Sequence, residues 1–142
     1  MPKRETDMTQ KILIVEDSLQ NMKVLRMTLR AHGYTFLETN NGETALEMAV
    51  RDKPDLIIMD IQLPKVSGLE TIKRLRQMST FRHIPIIVVT AYAMKGDKEK
   101  AIKAGCDTYL PKPINTRQLP RLVAKLLLKR KQGNFSCSGV DQ

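Results

Sequence analysis

The stretch Asp55-Leu56-Ile57-Ile58-Met59-Asp60 predicts the centre of the fold. Four apolar residues follow the first carboxylate, and a second carboxylate ends the run. A short apolar run with β-branched residues, bounded by turn formers, is typical of a strand buried on both faces. Asp60 would then stand at the carboxyl end of this strand, where open parallel sheets collect ligands. An Asp at such a position is also common as a turn residue or helix cap, so other parts of the sequence are needed to distinguish a functional carboxylate from a structural one.

Further strand-like segments alternate with segments whose apolar residues recur at helical spacing. The predicted strands are 11–15, 34–39, 55–60, 84–90 and 108–110, and the predicted helices follow them at 19–30, 43–52, 69–80, 91–105 and 119–131. This alternation predicts an α/β fold, a doubly wound five-stranded parallel sheet with five helices and right-handed crossovers. The strand order most often seen for five such units is 2-1-3-4-5.

The composition is that of one globular domain. The chain has 142 residues, of which 42% are hydrophobic and 27% charged, enough for a single core and no second domain. We expect a flexible segment at 1–10, a domain at 11–131 and a disordered tail at 132–142. There is no apolar run of membrane-spanning length and no secretory signal, and the two cysteines lack metal-ligand spacing. A cytoplasmic location fits best.

The net charge of +9 would allow binding to nucleic acid or to an acidic membrane. Many of the basic residues lie close to the C-terminus, and the chain has three Phe, three Tyr and no Trp, too few aromatic rings for a single-strand stacking platform. A solvated basic helix end, favoured by the helix dipole, is the simpler interpretation of residues 129–131. A nucleic-acid-binding effector remains an alternative.

Polar residues follow four of the predicted strands. Glu16 and Asp17 end the first strand, Asp60 the third and Thr90 the fourth, and Lys112 follows the fifth. The carboxyl ends of parallel strands meet at one edge, so these side chains should converge. Three carboxylates in one crevice repel one another unless a cation or a Lys compensates their charge. Such an oxygen-rich site suits Mg²⁺.

Four motifs resemble the signatures of the receiver domain of bacterial two-component response regulators, a flavodoxin-like fold of the CheY-like superfamily. They are Ile14-Val15-Glu16-Asp17, Met59-Asp60-Ile61-Gln62-Leu63-Pro64, Val89-Thr90-Ala91 and Lys112-Pro113. The resemblance covers about residues 10 to 130. Any one motif alone is a weak signal, but all four in this order at strand ends are highly specific.

The resemblance implies a role for each matching residue. Asp60 would accept a phosphoryl group, and Lys112 would neutralise the phosphoryl oxygens. Mg²⁺, or Mn²⁺, would be held by Glu16, Asp17, Asp60 and the backbone carbonyl of Gln62. Such transfer relies on positioning and electrostatics, so few residues suffice.

The resemblance also implies a conformational switch. Thr90 would hydrogen-bond a phosphoryl oxygen, and Tyr109 would swing inward behind it. Both have simpler interpretations, since Thr90 could merely end a β-branched strand and Tyr109 could be a packing residue. The peptide bond before Pro113 would be cis and aim Lys112 into the site.

The implied activity is signalling rather than enzymatic turnover, limited to self-catalysed phosphoryl transfer and slow autodephosphorylation. The partners would be a sensor histidine kinase or a histidine phosphotransfer protein, and a downstream protein target. Neither a DNA-binding domain nor a membrane segment is expected. The alternatives are a phosphorelay intermediate and a receiver cut from a hybrid kinase. A Mg²⁺-dependent hydrolase with an aspartyl nucleophile is disfavoured, because Gln62 stands where such enzymes usually carry a second Asp.

Overall fold

The structure, a computed structural model, describes residues 10–63, 66–91 and 96–139. Within them, five strands alternate with five α-helices. The strands are β1 (Lys11–Val15), β2 (Thr35–Thr39), β3 (Leu56–Asp60), β4 (Ile86–Thr90) and β5 (Thr108–Pro111). The helices are α1 (Leu19–Arg30), α2 (Gly42–Asp52), α3 (Gly68–Gln77), α4 (Asp97–Ala104) and α5 (Gln118–Gly139), with a 3₁₀ turn at Ser79–Phe81.

The strands form one parallel sheet in the order β2-β1-β3-β4-β5, which confirms the predicted fold and strand order. β3 lies at the centre and is fully buried, as its unbroken apolar run predicts. In the register, Val15 faces Met59 across β1 and β3, and Asp60 faces Val89 across β3 and β4. The carboxyl ends of β1, β3 and β4 therefore lie next to one another along one edge.

Alternate residues of each strand enter two separate cores, one on each face of the sheet. On the first face, Leu13, Ile57 and Val88 pack with apolar residues of α2, α3 and α4. On the second face, Ile58 and Val89 belong to a core shared with α1 and α5. Because both faces are covered, the sheet is held in a fixed position between two helical layers.

Three helices begin at a side-chain cap, which fixes where the chain leaves each strand. The side chains of Ser18, Asn41 and Ser67 accept hydrogen bonds from backbone N–H groups in the first turns of α1, α2 and α3. α4 differs, because it has only eight residues and begins after Gly96 without a side-chain cap. The sequence predicted a helix over 91–105, and residues 92–95 of that range lie outside the described residues.

The C-terminal helix extends beyond its predicted end. α5 continues to Gly139, whereas the predicted helix ended at residue 131. No proline follows Pro120 to end the helix, and each added residue of a nucleated helix gains one backbone hydrogen bond. Segments 1–9 and 140–142 lie outside the described residues, and the division into 1–10, 11–131 and 132–142 stays a prediction. Among the described helices, none is long and apolar enough to cross a bilayer.

Candidate functional site

Asp60 ends β3 with its carboxylate almost fully buried, at 4% exposure. Its Oδ1 accepts a hydrogen bond from the backbone N–H of Gln62 at 2.8 Å. Its Oδ2 lies 2.8 Å from the Nζ of Lys112. A buried carboxylate needs such partners to remain charged. The two contacts fix the direction of the carboxylate at the edge of the sheet.

Glu16 directly follows β1 and is 2% exposed. Its Oε2 accepts hydrogen bonds from the backbone N–H of Ser18 and the Nζ of Lys112, both at 3.1 Å. Its Oε1 lies 2.9 Å from the same Nζ, yet it is buried and accepts no well-directed hydrogen bond. One lone-pair-bearing oxygen of the site is therefore left for a further positive group.

Lys112 lies between the two carboxylates. Its backbone N–H donates to the carbonyl of Thr90 at 2.8 Å, which holds the start of the loop after β5 against the end of β4. The Lys112–Pro113 peptide bond is cis, as the resemblance implied. Side chains along a strand alternate between the two faces of the sheet. By this alternation Glu16, Asp60 and Lys112 all lie on the second face, because the residues two positions before them belong to the core on that face. This shared face explains why residues so far apart in sequence meet.

The charges of the site are unbalanced, because one ammonium serves two carboxylates. Burial disfavours the ammonium form of Lys112, but hydrogen bonds to Asp60 and Glu16 outweigh it and raise the pKa of Lys112. Burial also raises the pKa of Glu16, against the hydrogen bonds from Lys112 and Ser18. The site therefore carries a surplus of negative charge that a bound cation would relieve.

Asp17 does not join this cluster. Its side chain is exposed and makes no hydrogen bond or ion pair with the described residues. Within the described ranges, no three or more His, Cys, Asp or Glu side chains are grouped closely enough to hold a metal ion. Two carboxylates, those of Glu16 and Asp60, therefore meet on Lys112, and the third carboxylate of the predicted site, that of Asp17, lies outside this pair. Successive residues of an extended chain point to opposite sides, so Glu16 turns inward and Asp17 outward.

Thr90 and Tyr109 lie on the other face of the sheet. Thr90 is fully buried at the end of β4, and Tyr109 is half-buried and packs against the first core. Val88 is the register partner of Tyr109, and Thr90 lies two residues further along β4, on the same face. Burial raises the pKa of the Tyr109 hydroxyl. The two residues predicted to form a switch are thus diagonal neighbours on the same face of two adjacent strands.

Gly68 is a site residue that the sequence interpretation missed. Its backbone N–H donates to the carbonyl of Ile61 at 3.2 Å. A Cβ added at Gly68 would overlap the carbonyl of Asp60 and approach the Cα of Ile61 to 2.6 Å. Only glycine allows this approach of the start of α3 to the end of β3. Its position after Ser67, at a helix start, was the available sequence signal.

The chain belongs to the response regulator receiver domain family, whose model matches residues 12–124. Members of this family are receiver domains of signalling proteins, and the fold and the Glu16–Lys112–Asp60 cluster described above agree with that membership. The match takes in every described strand and four of the five helices, together with the start of α5.

A curated relative is the polar-differentiation response regulator DivK of Brucella anthropi, 49% identical over 116 residues, which cover 82% of this chain and 92% of the relative. The receiver domain of a sensor histidine kinase of Pseudomonas aeruginosa, solved with a magnesium ion in its active-site cleft, has a TM-score of 0.78 at 35% identity. That match covers 84% of this chain and 98% of the other. A CheY-like receiver domain protein of Methanospirillum hungatei gives 0.81 at 25% identity, over 87% and 98% of the two chains.

Proposed function

We propose that Asp60 accepts a phosphoryl group from a phosphohistidine of a sensor histidine kinase or histidine phosphotransfer protein. The observation that carries this proposal is the buried Asp60 carboxylate held between the Gln62 N–H and the Lys112 ammonium at the carboxyl edge of the sheet. The carboxylate is fixed in direction and paired with the Lys112 ammonium, which is placed to neutralise the transferred phosphoryl oxygens. These are the requirements for in-line phosphoryl transfer.

The transfer is a displacement at phosphorus. A carboxylate oxygen of Asp60 forms a P–O bond while the P–N bond to the donor imidazole breaks, and the imidazole keeps the electron pair and takes up a proton. Lys112, already 2.8 Å from Asp60, would stabilise the negative phosphoryl oxygens as the bond forms. Loss of the phosphoryl group to water would then return Asp60 slowly to its carboxylate form.

The chemistry of these residues fits a divalent cation that prefers oxygen ligands. The buried Oε1 of Glu16 accepts no well-directed hydrogen bond from the described residues, although Lys112 Nζ lies 2.9 Å away, and the exposed carboxylate of Asp17 is its sequence neighbour. Glu16, Asp17, Asp60 and the backbone carbonyl of Gln62 would hold Mg²⁺ or Mn²⁺. The bound cation would supply positive charge that neutralises the site and the incoming phosphoryl oxygens.

The output would be a change in protein contacts rather than a reaction product. Thr90 and Tyr109 would respond to the phosphoryl group together, and the surface around α4, β5 and α5 would carry the change to a downstream protein in the cytoplasm. The placement of Thr90 and Tyr109 as diagonal neighbours on one face of β4 and β5 supports this.

The acceptor is tested by intact mass after incubation with acetyl phosphate and Mg²⁺. Wild type should gain the mass of one phosphoryl group, and Asp60→Asn should gain none, because an amide of equal size is not a nucleophile here. Asp55→Asn is the matched control, since Asp55 lies just before the opposite end of β3 and should leave labelling intact. A phosphorylated Asp60→Asn variant would refute the assignment.

The cation site is tested separately by thermal unfolding. Millimolar Mg²⁺ should raise the Tm of the wild type by mass action, and Asp17→Asn and Glu16→Gln should reduce that rise. Asp55→Asn should keep the full rise. A wild-type Tm that does not change with Mg²⁺ would refute the proposed cation site. The assignment of Asp60 as the acceptor would be unaffected, because the labelling experiment tests it separately.

A further inference from the structure

A row of cations on the outer side of α5, and of the turn that leads into it, is not used by the proposed phosphoryl transfer. The row consists of Arg117, Arg121, Lys125 and Lys129, which follow one another at four-residue spacing and are all exposed. Arg117 precedes the first residue of α5, and the backbone hydrogen bond from Leu119 N–H to the Asn115 carbonyl at 3.0 Å makes its turn continuous with the helix. Residues four apart lie on the same side of an α-helix, about 6 Å apart along its axis. The row, here called the basic ridge, is therefore about 18 Å long.

The basic ridge is not neutralised by its own domain. In the parts of the chain that the structure describes, none of its four side chains forms an ion pair. Arg130 of the same helix differs, because its Nη1 lies 3.0 Å from Asp55 Oδ1. Residues 108–140 contain seven Lys or Arg and no Asp or Glu. The ridge thus presents charge of a single sign, which attracts anions.

A groove of about 390 Å³ accompanies the first turns of the ridge. It is lined by Asn115, Arg117, Gln118, Arg121, Leu122 and Lys125. The Asn115 side-chain oxygen accepts hydrogen bonds from the backbone N–H groups of Arg117 and Gln118, at 3.0 and 2.9 Å. These bonds hold the start of the helix, so the groove is a concave surface bordered by three cations.

We propose that the basic ridge binds the phosphate backbone of duplex DNA without sequence preference. A row of cations complements the closely spaced anions of a duplex. With both strands counted, DNA carries about one phosphate per 1.7 Å of axis, so an axial length of about 18 Å holds roughly ten phosphates, of which four would pair with the ridge. The guanidinium groups of Arg117 and Arg121 are suited to bidentate contacts with phosphate.

The composition of the ridge explains why backbone contacts are expected rather than base readout. Leu119, Val123 and Leu127 on the inner side of α5 are buried in the second core, so the outer side of the helix is the one available to a partner. The ridge consists of Arg and Lys alone, and these side chains commonly contact phosphate oxygens, which carry no sequence information.

Other anionic partners fit the ridge less well. A helix that binds a membrane surface needs an exposed apolar side, and in the described part of α5 Leu128 is the exposed large apolar residue. Single strands bind through aromatic stacking, and neither the ridge nor the groove includes an aromatic residue. An acidic protein surface is distinguished by the experiment below.

The test is fluorescence anisotropy with a labelled duplex of roughly 20 base pairs, titrated between about 50 and 200 mM salt. Four phosphate contacts predict a slope of log affinity against log salt of about −3.6. Arg117→Gln, Arg121→Gln and Lys125→Gln combined should weaken binding and reduce that slope by about 2.7, and Arg121→Gln alone should reduce it by about 0.9. Circular dichroism would show that each variant is folded.

The matched control removes three exposed cations from other surfaces, Lys73, Arg82 and Lys103, each replaced by Gln. It has the same net charge as the triple ridge variant and should keep the wild-type slope. Equal losses in both triple variants would overturn the proposal, since total charge rather than the ridge would then bind. Absence of duplex binding at about 50 mM salt, or tighter binding to poly-glutamate or to anionic vesicles than to the duplex, would also overturn it. The experiment is independent of phosphorylation.

Discussion

At the residue scale, Lys112 is the charge on which the site depends. It lies 2.8 Å from Asp60 and 2.9 Å from Glu16, both of which are buried. Burial removes water from a carboxylate, and the free-energy cost of that loss is large unless a positive partner compensates it. The Lys is therefore a structural counter-ion in addition to its proposed part in phosphoryl transfer.

Lys112→Gln should consequently lower the free energy of unfolding at neutral pH by about 3 kcal/mol, because two buried carboxylates lose their counter-ion. Chemical denaturation measures this loss. A second substitution, Glu16→Gln, should recover part of it by removing one of the uncompensated charges. The surface control Lys73→Gln should change stability by less than about 0.5 kcal/mol. Equal effects of the Lys112 and Lys73 substitutions would contradict this account.

Gly68 should matter for the site as well as for the fold. Gly68→Ala inserts a methyl group against the carbonyl of Asp60, so the end of β3 has to move. We expect a loss of about 1–3 kcal/mol and slower labelling by acetyl phosphate. Gly33→Ala is the control, because Gly33 has positive φ but open space around it. That variant should lose stability from its backbone conformation yet label normally.

Cys106 should be an unreactive thiol. Burial, helped by the charge of Asp107, raises its pKa to about 11. In a Cys137→Ser background, alkylation at pH 8 should be slow, because a thiol of pKa about 11 has about 10²-fold less thiolate than one of pKa about 9. The rate should rise as the pH approaches 11 and should be fast in denaturant. Equal rates in folded and unfolded protein at pH 8 would show that the thiol is accessible.

At the scale of elements, α4 is the least anchored of the helices. It has eight residues, starts at Gly96 in a left-handed conformation and has no side-chain cap. Two alanines, Ala101 and Ala104, supply its buried side, so it covers the sheet with little apolar area. An element with so few anchoring contacts is the one expected to move when the site changes.

The proposed switch predicts that the Thr90 hydroxyl is needed for the conformational response but not for phosphorylation of Asp60. Beryllofluoride with Mg²⁺, as a phosphoryl mimic, should shift wild-type amide resonances most in residues 90–110, because Thr90 and Tyr109 share one face of the sheet beside α4. Thr90→Ala should still be phosphorylated but should lose most of these shifts. Full-sized shifts in Thr90→Ala would mean that its hydroxyl is not needed for the coupling.

At the scale of the whole molecule, Arg76 joins segments that are distant in sequence. From the end of α3 it donates hydrogen bonds to the carbonyls of Phe81, Ile84 and Gly105, at 2.7 to 2.8 Å, and to that of Arg82 at 3.2 Å, and pairs with Asp107 at 3.1 Å. The same Asp107 oxygen accepts a hydrogen bond from the N–H of Ile86 at the start of β4. One guanidinium thus fixes α3, β4 and the turn after α4 relative to one another.

Removal of this guanidinium should cost more than removal of its neighbour on the same helix. Arg76→Gln leaves several buried carbonyls without donors and should lower the free energy of unfolding by about 3 kcal/mol. Arg74→Gln removes an exposed pair with Glu70 and should cost less than about 0.5 kcal/mol. Denaturant titration of the two variants side by side tests the difference, and similar losses would contradict the role given to Arg76.

The sequence by itself determined the elements and their order. The strand-like runs and the helical spacing between them led to the parallel sheet of order 2-1-3-4-5, which the structure confirms. Asp60 was placed at the carboxyl edge because it directly follows the apolar run of the third predicted strand. These features depend on local periodicity and on general rules for parallel connections, both of which can be read along the chain.

Only the tertiary structure decided which side chains touch. It turned Asp17 outward, placed Glu16 Oε1 2.9 Å from Lys112 Nζ without a well-directed hydrogen bond and brought Gly68 against the backbone of Asp60. Among the described residues, Arg130 forms an ion pair, whereas the four side chains of the basic ridge form none. Such contacts join residues up to 96 positions apart. Such contacts depend on strand register and helix packing to within an ångström, because a hydrogen bond or a steric overlap is gained or lost over that distance. The hydrophobic pattern of a sequence does not determine atomic positions to that precision.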